Sequence, residues 1–257
     1  MEATTASQKH TKGAVVFDLM GTCTDWKSSI VASLQQQPPT GVDIPSLAAA
    51  WRSGFFTEIL SRFERGEPQE DIDITHRRVL DTLLKEAGIS LNVWGDGVRQ
   101  NLVDSWHHQT AKAKTILGWP DSVPGIELLK QDYFVVVLAN GTTRLQMDIV
   151  KSTGLPFHSL FSSQLLQLTK PDPQMYLRAV ELLNLNPSDC IMVAAHAYDL
   201  RAAAKIGMKT VYIQRNTEDL TEDMDQIRTE FDAFVDGTTG DLNGGIPAVA
   251  ALLKQGI

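Results

Sequence analysis

Short apolar runs recur along the chain at Ala14-Val15-Val16-Phe17, Tyr133 to Leu138, Ile191-Met192-Val193, Thr210-Val211-Tyr212-Ile213 and, more weakly, Ala233-Phe234-Val235. They are unbroken and do not alternate with polar residues, the pattern of strands covered on both faces, so a buried parallel sheet is expected. Helical patterns fall between the later runs. Asp172-Pro173 offers an N-cap followed by proline at the first helical position, and Tyr176, Ala179, Val180 and Leu183 follow at helical spacing. The run Asp199 to Ile206 stops at Gly207, which accepts a left-handed C-cap cheaply. This alternation predicts an α/β fold: a doubly wound, Rossmann-like parallel sheet core.

The rhythm breaks between the first two runs. The polar segment Gln35 to Gly41 (QQQPPTG) cannot continue a helix and reads as a hinge or loop. Three amphipathic patterns follow: Leu47, Ala50, Trp51 and Phe55; Val79, Leu80, Leu83, Leu84 and Ala87, closed by Gly88; and Val98, Leu102 and Trp106. The expected organisation is a core domain of residues 13–27 and 115–257, an all-helical insertion over 28–114, and a polar N-terminal tail over 1–12.

Composition narrows the class. The 257 residues carry 23 Lys+Arg against 31 Asp+Glu, a formal charge of −8, with no basic run. Phosphate neutralisation on nucleic acid or an anionic membrane is therefore not expected. Tyr133 to Ala139, the longest apolar run, is far short of the ~30 Å of a bilayer core, and the N-terminus lacks a signal-peptide pattern. Cys23 and Cys190 stand outside any metal-ligand spacing. A cytoplasmic protein is expected, with a small-molecule substrate, a homodimer as the candidate assembly, and neither nucleic acid nor membrane as partner.

Ligands of open α/β sheets bind at the carboxyl ends of the strands, so the polar residues after each run are the candidates. These are Asp18; Asn140, Gly141 and Thr142; and His196 and Asp199; Lys170 stands before Pro171. A carboxylate at a strand tip can attack carbon or phosphorus and form an ester or acyl phosphate. The Gly21-Thr22 turn is expected to bring backbone N–H groups towards it, and Lys170 is the candidate to keep it ionised.

Four segments, Val16 to Asp25 (VFDLMGTCTD), Leu138 to Gly141 (LANG), Lys170 to Pro173 (KPDP) and Val193 to Asp199 (VAAHAYD), resemble in order the four motifs of the haloacid dehalogenase superfamily. The helical insertion stands where that superfamily carries a cap domain. Phosphatases of the superfamily place a second Asp two residues after the nucleophile, but here that residue is Met20, which transfers no proton. Where magnesium-dependent members have a first motif-four carboxylate, this chain has Ala195. Hence no metal and no cofactor are expected. The resemblance is nearest to the type II 2-haloacid dehalogenases. It implies that Asp18 displaces halide from C2 of a small 2-haloacid, that Lys170 steadies the charge, and that water oriented by Asp199 and its motif-four neighbour opens the aspartyl ester. Met20, Trp26, Asn140, Thr142 and Tyr198 are the expected substrate contacts.

Three departures stand out. Ala139 replaces a usual Ser, with Thr142 or Thr143 as candidate substitutes. His196 replaces an Asn and is a candidate general base, imidazole having a pKa of ~6.5. The halide-receiving Arg of the family is missing from Gln35 to Pro45, leaving Arg52 or Lys27 to serve if folding brings them over Asp18. Plainer roles compete with the chemical ones: a surface cation for Lys170, a helix N-cap for Asp199, a backbone-bonded structural histidine for His196, a turn support for Asn140. His107-His108 and the Asp71, Asp73, His76 group read as a solvated face, and Trp51, Phe55 and Phe56 as packing between helices. Two other functions keep the same fold: a phosphatase or an enzyme of specialised metabolism acting on another substrate, and a non-catalytic binding protein.

Overall fold

The computed structural model describes residues 11–36, 41–68, 70–108 and 119–256. Six strands form one parallel sheet: β1 (Ala14–Phe17), β2 (Phe134–Ala139), β3 (Ser159–Ser162), β4 (Cys190–Ala194), β5 (Lys209–Gln214) and β6 (Ala233–Asp236), in the order β3-β2-β1-β4-β5-β6. β1 is central, with Phe17 opposite Val137 on one side and Val193 on the other. The strand order reverses between β1 and β4, which opens the crevice where such sheets bind ligands.

Because both faces are covered, strand residues pack alternately into two cores. Val15, Phe17, Val135, Val137 and Val193 meet α5 (Ser122–Leu129), α6 (Thr143–Thr153) and α11 (Gly245–Gln255) on one face. Val16, Val136, Met192 and Ala194 meet α8 (Pro173–Leu182) and α9 (Ala197–Lys205) on the other. This explains the uninterrupted apolar runs.

β3 was not among the expected strands. It is the edge strand, only four residues long, with serine at both ends and two half-buried positions, so it lacks an apolar run. Asp172 caps α8 through the Gln174 N–H as expected. In α9 the helix starts at Ala197 with His196 at the cap position, two residues before the expected start, and Gly207 follows with φ of +89°.

Between β1 and α5 the described residues form four helices: α1 (Trp26–Leu34), α2 (Ile44–Glu64), α3 (Ile72–Glu86) and α4 (Asp96–Asp104). α2 to α4 coincide with the three expected patterns; α1, nine residues ending at Leu34 just before the polar segment, was not foreseen. These helices build a third core of Trp26, Ile30, Trp51, Leu80, Trp94 and Trp106. Four residues of the expected hinge, 37–40, and the expected boundary at 114/115 lie outside the described residues. No described helix is long and apolar enough to cross a membrane.

The loop after β1 is anchored from behind. Arg215, fully buried, donates Nε to the Thr22 carbonyl at 3.1 Å and both terminal nitrogens to Asp121 at 2.9 and 2.8 Å. Trp119 Nε1 donates to the Gly21 carbonyl at 2.8 Å.

Candidate active site

Asp18 leaves the tip of β1 with 6% of its surface exposed. Lys170 Nζ donates to its Oδ1 at 2.9 Å, and Thr22 Oγ1 donates to its Oδ2 at 2.8 Å. The Gly21 N–H is not directed at the carboxylate as expected; it bonds the Thr24 carbonyl, so the turn acts through the Thr22 hydroxyl. Burial pushes the Asp18 carboxyl up, but the Lys170 ammonium and the His196 imidazole beside it outweigh burial and hold it well below the usual carboxylate range.

Lys170 is 1% exposed, which excludes a surface cation. Its ammonium lies between Asp18 and Asp199, bonding both. Burial disfavours the charge, yet the two carboxylates raise its pKa above the ordinary lysine value. Asp199 is not a helix cap: it lies in the first turn of α9, fully buried, with Oδ2 on Lys170 and Oδ1 accepting from the Tyr176 hydroxyl. Asn140 accepts from the Lys170 N–H at 2.8 Å and donates to its carbonyl at 3.1 Å. Its amide thus positions the lysine, and Asn140 also lines the cavity over Asp18, where a substrate contact is expected.

His196 is held by carboxylates and not by backbone. Its Nε2 lies 2.7 Å from Glu218 Oε2, and Nδ1 stands 3.3 Å from Asp18 Oδ2 without hydrogen-bond alignment. Burial lowers its pKa, but the two carboxylates raise it to about 10. The resting ring is therefore an imidazolium, with its pKa above the expected ~6.5. Glu218 itself is pushed up by burial and pulled down further by His196 and Arg52, to about 2.

Above Asp18 lies a cavity with a largely apolar wall. Met20, Phe55, Phe56, Ile59 and Leu145 line it with Arg52, His76, Asn140, His196 and Tyr198. Phe55 and Phe56 thus face the cavity as well as packing. His76 is not on a solvated face: it is 1% exposed and stacked between Phe55 and Trp106, with centroids 4.0 and 4.4 Å away. Burial and the Arg52 charge hold its pKa well below the ordinary histidine value. His107 instead bridges Asp73 and Asp148, at 3.1 Å each.

Two expected contacts fall elsewhere. Trp26 lies outside the cavity wall; it is 2% exposed, in the helical core, and donates Nε1 to Glu218 Oε1 at 2.5 Å. Thr142 caps α6 by accepting from the Leu145 N–H at 3.0 Å, and Thr143 shares a 2.7 Å hydrogen bond with Ser162. Neither lines the cavity, so neither supplies a donor where Ala139 stands.

Arg52, the further candidate, does reach the site. Its Nη1 and Nη2 donate to Met20 Sδ at 3.0 Å and the Met20 carbonyl at 3.1 Å, and its guanidinium lies 4.4 Å over the Phe56 ring. Its Nε is buried with no hydrogen-bond partner among the described residues. Lys27 does not line this cavity; it lines a second cleft that His196 also borders.

Tyr176 and Glu218 are not among the expected residues, and Thr22 is expected only through its backbone, not through the hydroxyl that bonds Asp18. Glu218 follows β5 by four residues, so the strand-tip rule applied to that run would have found it. Tyr176 falls at an apolar position of the helical spacing, which hides the hydroxyl that bonds Asp199.

An ionised strand-tip aspartate, a buried lysine bridging it to a second aspartate, and a helical layer over the crevice define a hydrolase class. The model of the haloacid dehalogenase-like hydrolases matches residues 12–207, and the chain belongs to that family. Among its relatives, (S)-2-haloacid dehalogenase 4A of Burkholderia cepacia is 26% identical over 205 residues, 79% of this chain and 83% of that protein. Among solved structures, the L-2-haloacid dehalogenase PA0810 matches at 32% identity with a TM-score of 0.76, over 93% of this chain and 99% of that one. The defluorinating L-2-haloacid dehalogenase Rha0230 matches at 31% and 0.79, over 94% and 95%.

Proposed function

We propose that this hydrolase cleaves the carbon-halogen bond of a small 2-haloacid through an ester on Asp18, without a metal. The observation that carries the reading is the pairing, across one cavity, of an ionised Asp18 with the buried, unpartnered Nε of Arg52. One is a nucleophile at the floor; the other is an anion donor in the roof. In this reading Asp18 attacks C2 from the face opposite the halogen, the departing halide is drawn to Arg52, and water then opens the ester.

Metal independence is supported by Lys170, whose ammonium stands between the Asp18 and Asp199 carboxylates and bonds both. Among the described residues no cluster of three or more His, Cys, Asp or Glu is arranged to hold a metal. Met20 supports carbon over phosphorus chemistry: its sulfur accepts from Arg52 and has no proton for a leaving alcohol. Residues 28–114 act in this reading as a cap supplying the roof. The two free, buried cysteines suit a reducing cytoplasm.

Turnover of (S)-2-chloropropionate in heavy-oxygen water, followed by mass spectrometry of the Asp18 peptide, tests the reading. The peptide is expected to gain heavy oxygen, with halide release greater than phosphate release from p-nitrophenyl phosphate. An Asp18 peptide of unchanged mass after many turnovers removes the aspartyl ester.

A further inference from the structure

We propose that His196 Nδ1 activates the water that opens the Asp18 ester, with Glu218 as the positioning residue behind it; this rests on the aspartyl-ester reading above. The expected water-orienting group, Asp199, has both oxygens committed, one to Lys170 and one to the Tyr176 hydroxyl. Among the described residues, the polar side chains against the Asp18 carboxylate are Thr22, Lys170 and His196. Lys170 is a cation held by two carboxylates, and Thr22 Oγ1 is tied to both Asp18 and the Ala195 N–H. His196 alone of the three has a ring nitrogen next to Asp18 that takes and returns a proton.

The support for that ring is built in. Glu218 is 6% exposed, and its Oε2 fixes His196 Nε2 at 2.7 Å, leaving Nδ1 facing Asp18. Trp26 Nε1 and Thr217 Oγ1 donate to its other oxygen at 2.5 and 2.7 Å. A Cβ on Gly21 would lie 2.4 Å from the Glu218 carboxyl carbon, so the glycine makes room for it. A second cleft, rimmed by the exposed Leu220 and lined by Thr217 and Glu218, shares Arg52, Phe56, His196 and Tyr198 with the cavity, so the ring borders both.

The charge balance turns the dyad on at the right moment. In the resting site the Asp18 charge keeps a proton on His196. Ester formation removes that charge and expels halide, and His196 releases its proton to solvent. Nδ1 then takes a proton from water as the water oxygen bonds Cγ of Asp18. The tetrahedral adduct breaks its Cγ–O ester bond, and the departing alkoxide takes the proton from Nδ1. The new Asp18 carboxyl passes its proton to His196, which restores the ion pair, so one proton and one halide are released per turnover. The charged and titratable groups around the ring are Asp18 with Lys170 behind it, Glu218, Arg52, Tyr198 and Asp219.

The test follows halide and 2-hydroxyacid separately from (S)-2-chloropropionate, with mass spectrometry of the Asp18 peptide, in wild type, Glu218→Gln, Glu218→Asp and His196→Asn. Glu218→Gln is expected to keep the first-turnover halide burst, slow hydroxyacid formation roughly 10²-fold and accumulate the esterified peptide. Its hydrolysis rate rises with pH at a lower midpoint than wild type, because the carboxylate that raises the ring pKa is gone. Glu218→Asp restores part of the rate, and His196→Asn accumulates ester with a flat pH profile. Equal slowing of halide and hydroxyacid without ester, in both Glu218→Gln and His196→Asn, overturns the dyad while leaving the aspartyl ester intact. Wild type that releases halide without labelling Asp18 overturns both.

Discussion

Floor and roof of the cavity solve burial in opposite ways, and two histidines show it. His196, in the floor, is 4% exposed and lies between two carboxylates, so it holds its proton to about pH 10. His76, in the roof, is 1% exposed and stacked between two aromatic rings beside Arg52, so it stays neutral. The floor is an ion network whose members are stable only together; the roof is an aromatic shell around one guanidinium. A dry site tolerates charge where each charge has its opposite within reach, and excludes it elsewhere.

Removing the cation from the floor is the most severe way to break this contrast. Lys170→Met leaves Asp199 buried without a counter-charge and Asp18 with His196 as its remaining cation, a loss of about 3–5 kcal/mol. A melting temperature lower by on the order of 10 °C is expected in calorimetry; an unchanged melt shows that the two carboxylates are hydrated. In the roof, Arg52→Met is expected to lower kcat/KM for 2-haloacids on the order of 10²-fold while leaving the fold intact. Arg52→Lys recovers only part, because an ammonium does not reproduce the guanidinium fork over Phe56. Steady-state kinetics with unaltered kcat/KM in Arg52→Met removes the roof from the chemistry.

The smallest effect sharpens the comparison by its sign. His76 has a folded pKa below its unfolded value, so its contribution to stability is complete above about pH 6.5 and is lost as pH falls below it. His196 is raised to about 10, so its contribution is complete below about pH 6.5 and is lost as pH rises through 10. His76→Phe is expected to cost about 1 kcal/mol at neutral pH and to weaken the acid-side loss. Urea melts of both proteins at about pH 5.5 and 7.5 measure it; parallel pH dependence shows that His76 does not titrate.

The floor was far more legible in the sequence than the roof. Asp18, Asn140, His196 and Asp199 follow strands whose apolar runs are plain, so topology alone brings them together. What spacing does not show is the partner. His196 was read with an ordinary pKa because Glu218, 22 residues later, was not in view. Helix periodicity marked the cap helices but not which face overlies the sheet. Arg52, between Trp51 and Phe55, is a charge on an apolar face, and His76 falls on the stripe Ile72, His76, Leu80, Leu84 of α3. Either anomaly, taken seriously, would have pointed at the cavity. β3 and α1 were missed for a related reason: the edge strand is capped by serines, and α1 is short.

The clamp of Arg215 on the Thr22 carbonyl spans 193 positions of chain, and the Lys170 contact with Asp18 spans 152. During synthesis the segment carrying Asp18 therefore emerges long before the residues that clamp it. Until α8, α9 and the tip of β5 have left the ribosome, the aspartate is an ordinary hydrated acid on a nascent thread. Reactivity in this enzyme is among the last properties the growing polypeptide acquires.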